Sequence, residues 1–245
     1  MDKAVRESQN TLWRRTARQA PVARALDQDL VVDIAVIGGG FLGLTAALHL
    51  AQCGASVAVL EAETIGAGAS GVNAGFVAPH FSKADPVAVR ASLGEERGRR
   101  LLEGVASGGD KVFETARSLA IDCDAAQTGW LQPAHSDNAA EMLRARAELW
   151  RGLGRPVRFL SAGEIADQTS MTRYRGALLD ASGGTIHPLS YAFGLARAAS
   201  DKSAMIFEGA RVDAIERVPN RWRLQSGARS VIADKILLCT NATTA

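Results

Sequence analysis

Val31-Val32-Asp33-Ile34-Ala35-Val36-Ile37, then Gly38-Gly39-Gly40-Phe41-Leu42-Gly43, and after a helical run Ser56-Val57-Ala58-Val59-Leu60-Glu61, decide how this chain folds. The apolar residues Val32, Ile34, Val36 and Ile37, with Asp33 among them, predict a buried first strand. Leu44, Ala47, Leu48 and Ala51 recur at helical spacing, and Gly54 falls where a helix stops. Ser56–Leu60 predicts a second strand that ends on an acid. The spacing Gly38-x-Gly40-x-x-Gly43 is that of a dinucleotide-binding turn. Gly38 permits the tight turn, Gly40 lets backbone approach a pyrophosphate, and Gly43 lets the helix pack closely on the strand. The helix start adds unpaired N–H groups and a partial positive charge suited to phosphates. Glu61, 23 residues after Gly38, is in range to accept hydrogen bonds from an adenosine ribose. A glycine triplet alone is weak evidence, but here a strand, a helix and a second strand surround it.

The next segment bears on which dinucleotide is bound. Between Ile65 and Val77 there is no charged residue, and Gly66, Gly68, Ser70, Gly71, Asn73 and Gly75 allow close backbone approach or positive φ. Exposed loops are usually more polar than this. A nicotinamide domain has no general need for such a loop directly after its second strand. An extended flavin dinucleotide must be held along its whole length, so the loop favours a flavin over a nicotinamide-dependent dehydrogenase.

The composition agrees with an α/β protein. The 245 residues suffice for a sizeable core, and 47% are hydrophobic. A net charge of +2 is too small to argue for nucleic acid or an anionic membrane surface as partner. Asp2, Lys3, Arg6 and Glu7 exclude a signal-peptide reading of the N-terminus, and no apolar run reaches the length of a membrane span. Cys53, Cys123 and Cys239 are scattered, without metal-ligand spacing, and read as reduced packing residues of a cytoplasmic protein. No metal site is expected.

Gly38–Leu44 followed by Gly68-Ala69-Ser70-Gly71-Val72-Asn73-Ala74-Gly75 resembles the D-amino-acid oxidase superfamily of FAD-dependent oxidoreductases. The resemblance is closest to its glycine/sarcosine oxidase-like and gamma-glutamylputrescine oxidase-like members. Three further stretches carry it. Gly183–Leu189 is similar to the segment leading from the substrate domain back to the FAD domain. Gly209–Ile215 is similar to a strand whose backbone contacts adenine, and Leu237–Ala242 to a strand end beside the cofactor. The resemblance implies FAD as cofactor, with Gly38, Gly40, Phe41, Leu42, Gly43, Glu61, Ala62, Gly68, Ala69, Ser70, Asn73, Ala74, Gly75, Val212, Thr240 and Asn241 as its binding residues. The family's loop often ends Asn-Gly-Gly, where this chain has Asn73-Ala74-Gly75. Residues 66–75 contain no His, Cys or Tyr, which excludes covalent flavin attachment from this loop.

The implied fold is a Rossmann-like FAD-binding domain, a parallel sheet plus a β-hairpin, interrupted by the mainly helical start of a substrate domain. Residues 1–30 are expected as an N-terminal extension, 31–82 and 187–245 as the two FAD-domain segments, and 83–186 as part of the substrate domain. Leu101, Val105, Val112, Ala116 and Leu119 predict one apolar stripe. Met142, Leu143, Leu149 and Trp150 predict another, with Glu141, Arg144, Arg146 and Glu148 facing water. Ser161-x-x-Glu164 is a capping box, and Pro188 suits a helix's first position ahead of the buried face Leu189, Ala192, Phe193, Ala196 and Ala199. Residues 204–207 read as a strand, 211–218 and 221–225 as a hairpin around Pro219-Asn220, and 235–239 as a buried parallel strand.

Outside the glycine motifs the residues are chemically quiet. Arg97, Arg99 and Arg100 read as a solvated helix face before an anion-steering cluster. His80 and Phe81 are balanced between bordering the flavin's substrate side and a plain loop role. His187 reads as a cap or packing residue, His49 as packing or surface, and Trp130 and Trp150 as core. No catalytic residue is assigned, which accords with flavin chemistry, where the cofactor carries the redox step. The expected reaction is oxidation of an amine or amino-acid C–N bond to an imine. The chain resembles the N-terminal half of such an oxidase, so a truncated enzyme is expected. The alternative is a non-catalytic FAD-binding fragment or subunit completed by a second chain.

Overall fold

The computed structural model describes residues 11–21, 24–81 and 84–243. The expected extension's residues 1–10, the boundary at 82/83, and Thr244 and Ala245 lie outside the described residues. In chain order the strands are β1 Leu30–Ile37, β2 Val57–Leu60, β3 Phe76–Val77, β4 Trp130–Ala134, β5 Val157–Ser161 and β6 Gly176–Asp180. They continue with β7 Gly184–Thr185, β8 Met205–Phe207, β9 Ala214–Val218, β10 Arg221–Ser226 and β11 Arg229–Leu238. The chain divides into two compact units. The first runs through Ala74, takes in Ala116–Cys123 and resumes at His187; the second comprises Gly75–Thr115 and Asp124–Ile186.

The first unit is built on a six-stranded sheet of order β8-β2-β1-β11-β10-β9. Its strands β8, β2, β1 and β11 are parallel, and β10 and β9 extend it as an antiparallel ribbon. Val57, Ala58, Val59 and Leu60 are all buried, as a central parallel strand requires. Val32, Ala35, Ile37, Leu60, Phe207, Leu224 and Val231 form one apolar cluster, each large side chain contributing about 1.5–3 kcal/mol of burial. The Phe41–Gln52 helix buries Leu44, Ala47, Leu48 and Ala51, stops before Gly54 at φ 86°, and packs against the Pro188–Asp201 helix. Pro188 stands in the first turn of that second helix, behind His187 as N-cap. Asp33 departs from the expected buried strand: it is exposed, and its carboxylate accepts from Ser56 N at 2.7 Å, tying the middle of β1 to the entry of β2.

The last strand also differs from expectation. Residues 235–239 were expected to be a buried parallel strand, whereas β11 begins at Arg229 and ends at Leu238. Its pairing with β10 stops at Ala233, while its pairing with β1 runs on to Leu238. Among the described residues, the strand beyond Ala233 therefore pairs on one side only, and Leu237 and Leu238 are 37% and 57% exposed.

In the second unit, helices Pro86–Leu93, Glu95–Ala106, Asp137–Gly152 and Ala162–Thr169 accompany a three-stranded antiparallel sheet of order β4-β6-β5. The expectation of a mainly helical segment missed this sheet. Pro133 argues against a strand by propensity, yet β4 is an edge strand, where a missing N–H is tolerated. Leu102, Leu143, Trp150, Val157 and Leu178 form the core. Of the expected stripe, Ala116 is buried and Val105, Val112 and Leu119 are half-buried, but Leu101 is 41% exposed, and Leu102, Ala106 and Phe113 take the buried positions one residue on from Leu101, Val105 and Val112. Met142, expected inside, is exposed, while Ala140, Leu143, Ala147 and Trp150 face the core. The Ser161–Glu164 capping box is present in both directions. Arg99 and Arg100 pair with Glu96 and Glu103 on an exposed helix face. Among the described residues, no helix is long and apolar enough to cross a membrane.

Candidate cofactor-binding site

Three parallel strands end together at one cavity of the first unit. Gly38 follows β1, Glu61 follows β2 and Cys239 follows β11, and all three line a space of about 400 Å³. Ligands of open parallel sheets bind in such crevices beyond the carboxyl ends of the strands.

The turn that forms the floor depends on glycine for two separate reasons. Gly38 has φ 111°, and a Cβ there would lie 2.6 Å from the Cys239 carbonyl oxygen, so both conformation and space exclude a side chain. Gly43 has ordinary helical backbone, but a Cβ would stand 2.0 Å from the Gly38 carbonyl oxygen. Gly40, the N-cap of the Phe41–Gln52 helix, has φ −90°, and a Cβ there would meet only the Ser70 side chain within 4 Å, with Oγ at 2.8 Å. Ser70 Oγ accepts from the Phe41 N–H at 3.0 Å, joining the helix start to the following loop. Glu61 bridges the same parts: its Oε2 accepts from Gly39 N at 2.6 Å and its Oε1 from Glu63 N at 2.9 Å.

Most residues singled out from the sequence meet at this cavity. Gly38, Gly40, Glu61 and Ala62 line one part, Gly68, Ala69 and Ser70 a second, and Val212, Thr240 and Asn241 a third. Val212 arrives differently from expectation: it lies on an irregular stretch ahead of β9, which starts only at Ala214. Six residues do not line the cavity. Phe41 turns its ring edge-on to Tyr191 at 5.5 Å, Leu42 is 68% exposed, and Gly43 is packing. Asn73 donates through Nδ2 to the carbonyls of Ala69 and Ser70, holding the short Ala69–Val72 helix. Ala74 is exposed, and Gly75 takes φ 75° at the end of the loop.

Sequence reasoning did not single out Gly39, Ala67, Arg211 and Cys239, which also line the space, as does Gly66 of the uncharged loop. Gly39 sat inside the first quoted motif, Ala67 directly follows Gly66, and Arg211 and Cys239 directly precede Val212 and Thr240, so adjacency was the available signal. Burial pushes the Cys239 thiol above its ordinary pKa, keeping it protonated and poorly nucleophilic at neutral pH. The residues fit an extended dinucleotide: a glycine turn opening a helix for the pyrophosphate, a carboxylate for a ribose, and largely uncharged backbone elsewhere.

The histidines and tryptophans settle into other roles. His80 is 7% exposed in the second unit, stacked on Trp150 at 5.9 Å, and burial holds its pKa below the ordinary value. Phe81 packs on the same core. His187 Nδ1 accepts from Ser190 N at 3.1 Å as a helix cap, and His49 is exposed. Trp150 is fully buried, whereas Trp130 is half-buried and edge-on to Phe76. Among the described residues, no three His, Cys, Asp or Glu side chains cluster to hold a metal ion.

Comparison with known proteins bears on the same residues. A family model described as FAD dependent oxidoreductase (DAO) matches residues 33–245. Gamma-glutamylputrescine oxidoreductase of Escherichia coli is 36% identical over 89% of this chain and 50% of its own length. Glycine oxidase of Geobacillus kaustophilus is 26% identical over 86% of this chain. Its crystal structure superposes with a TM-score of 0.71 over 86% of this chain and 55% of that one. L-proline dehydrogenase from P. horikoshii shares the fold with a TM-score of 0.71 at 19% identity, over 87% of this chain and 54% of that one. The chain spans about half the length of the curated relatives it matches.

Proposed function

The chain belongs to the DAO family of FAD-dependent oxidoreductases, with FAD as its cofactor, and on that premise we propose that it serves the oxidation of an amine or amino acid. In this reaction the C–N bond becomes a C=N bond. The substrate loses a hydride from carbon and a proton from nitrogen, and bound FAD supplies the two-electron acceptor. The observation that carries the reading is the meeting of the Gly38–Gly40 turn, Glu61 and the Gly66–Ser70 loop at one cavity. The likeness to an oxidoreductase of an amine, at 36% identity, supports the substrate class.

The roles follow from the chemistry of the lining. The Gly38–Gly43 turn and its helix start hold the pyrophosphate. The Glu61 carboxylate, already fixed by the Gly39 and Glu63 amides, accepts from a ribose hydroxyl. The Val212 backbone would contact the adenine, and Ser70 would line the path toward the flavin end, in a loop whose short helix Asn73 holds. The first unit is then the FAD-binding part and the second the start of a substrate domain. The scattered spacing of Cys53, Cys123 and Cys239 along the sequence supports a cytoplasmic location.

The test is anaerobic mixing of the FAD-loaded protein with amines, amino acids and, as controls, the corresponding hydroxy acids. Loss of the oxidised flavin's visible band with an amine or amino acid alone is expected. Reduction by a hydroxy acid alone, or by none of them, would overturn the proposal.

A further inference from the structure

The short helix Leu12–Thr16 has no buried residue and only five members, too few to be stable alone. Its position is therefore set by what it grips, and those contacts converge on the loop after β2. The Trp13 indole N–H donates to the Asn73 carbonyl at 2.8 Å, and Arg14 Nη2 donates to Thr64 Oγ1 at 2.7 Å. Thr64 and Asn73 flank the stretch Gly66–Ser70 that lines the cavity. On its other side this loop lies on the Pro188–Asp201 helix: a Cβ on Gly66 or Gly71 would come within 2.8 and 2.9 Å of Leu189 Cδ1.

The same short helix is bound to the start of that second helix. The Trp13 ring stands edge-on to the His187 imidazole at 4.8 Å, and Thr16 Oγ1 lies 3.0 Å from His187 Nε2. The hydrogen-bond directions are consistent. His187 Nδ1 accepts from Ser190 N, so in neutral His187 the proton is on Nε2, which donates to Thr16 Oγ1; that hydroxyl donates onward to the Leu12 carbonyl. The Arg18 N–H donates to Ser190 Oγ at 3.1 Å, and its guanidinium pairs with Asp122 at 2.9 Å. The segment thus ties both ends of one loop to the helix beneath it.

We propose that residues 11–18 form a clasp that holds loop 64–73 in its cofactor-binding shape, with Trp13 and Arg14 as positioning residues that slow the release of FAD. The inference rests on the FAD reading above. The contacts touch the two ends of the loop and leave its lining free, so the clasp governs how readily the loop opens. Trp13→Ala removes one hydrogen bond and one ring contact, which together correspond to about tenfold faster FAD release.

The test uses the intact chain with Trp13→Ala, Trp13→Phe, Arg14→Ala and, as a control for the exposed ion pair, Arg18→Ala. FAD release is followed by the return of flavin fluorescence on dilution, and amide hydrogen exchange is measured over 64–73 without FAD. Trp13→Ala and Arg14→Ala are expected to speed release and raise exchange in that loop above any general rise across the chain. Trp13→Phe, which keeps a ring against His187 but lacks the N–H, is expected to lie between, and Arg18→Ala close to the parent. Unchanged release and exchange in Trp13→Ala, or an equal rise in exchange everywhere, would overturn the clasp. A parent chain that holds no FAD would defeat the functional reading instead, while the exchange measurement would still decide the clasp.

Discussion

The Glu61 carboxylate reaches 2.6 Å to the amide of Gly39, so the acid that ends β2 is anchored on the glycine turn that ends β1. One side chain therefore joins the two halves of the motif before any ligand is considered. Its second oxygen takes the Glu63 amide, leaving further lone pairs on both oxygens for a sugar hydroxyl.

Glu61→Ala is expected to do two kinds of damage. It leaves the amide of buried Gly39 without its acceptor, costing about 1–3 kcal/mol. It also removes the ribose acceptor, weakening FAD by about tenfold or more. Glu61→Gln retains an oxygen for Gly39 and should keep most of the melting temperature while still losing affinity. Thermal unfolding and FAD titration on the two variants separate these effects.

Glycines of one motif should fail differently. At Gly40 an added Cβ meets Ser70 alone within 4 Å, a side chain that can turn away at the loss of its hydrogen bond from Phe41 N–H, so Gly40→Val should fold and lose FAD binding. At Gly43 the added Cβ strikes the Gly38 carbonyl at 2.0 Å, which neither backbone nor helix can relieve locally. Gly43→Ala should therefore cost stability itself, about 1–3 kcal/mol or more. Melting curves without FAD distinguish the pair: near-parental for Gly40→Val, lowered for Gly43→Ala.

This motif was legible from the sequence because all its parts are local. Strand, turn, helix and acid lie within Val31–Glu61, and each announces itself by periodicity or by glycine. The β4-β6-β5 sheet was not legible, since β6 pairs with β5 across the Ala162–Thr169 helix and with β4 across that helix, β5 and the Asp137–Gly152 helix, and β4 carries Pro133. The exposed end of β11 depends on where β10 stops, a fact of tertiary pairing. In the site, Val212 was found by resemblance but placed on a strand that begins two residues later. The Trp13–Asn73 hydrogen bond spans 60 residues and left no pattern to read.

His80 supplies a pH dependence. It is buried against Trp150, with no hydrogen-bond partner for Nε2 among the described residues, and burial lowers its folded pKa although Phe81 and Asp180 oppose this and Arg146 adds to it. The unfolded chain takes up a proton below the ordinary value of 6.5 while the folded chain resists. Stability should therefore fall as pH drops through that value and level off below the folded pKa. His80→Leu removes this contribution, so the drop in melting temperature between pH 7.5 and about 5.5 should be smaller in the variant than in the parent.

Glu164 acts at more acid pH. The Ser161 amide and hydroxyl, with Arg158, hold its carboxyl down to about 2 from an ordinary 4.5. The capping contribution is present above 4.5 and is lost as pH falls toward 2. Glu164→Gln retains a cap acceptor without the charge and should flatten that acid limb in urea-midpoint measurements from pH 5 down to about 3.

The measurement that bears most directly on the central claim is titration of the purified chain with FAD, with NAD as competitor, following flavin fluorescence and the visible absorption band. Saturable binding that NAD does not displace, and that is lost in Gly40→Val, is the predicted result. Displacement by NAD, or parental affinity in Gly40→Val, would contradict a flavin site built on Gly38–Gly40 and Glu61.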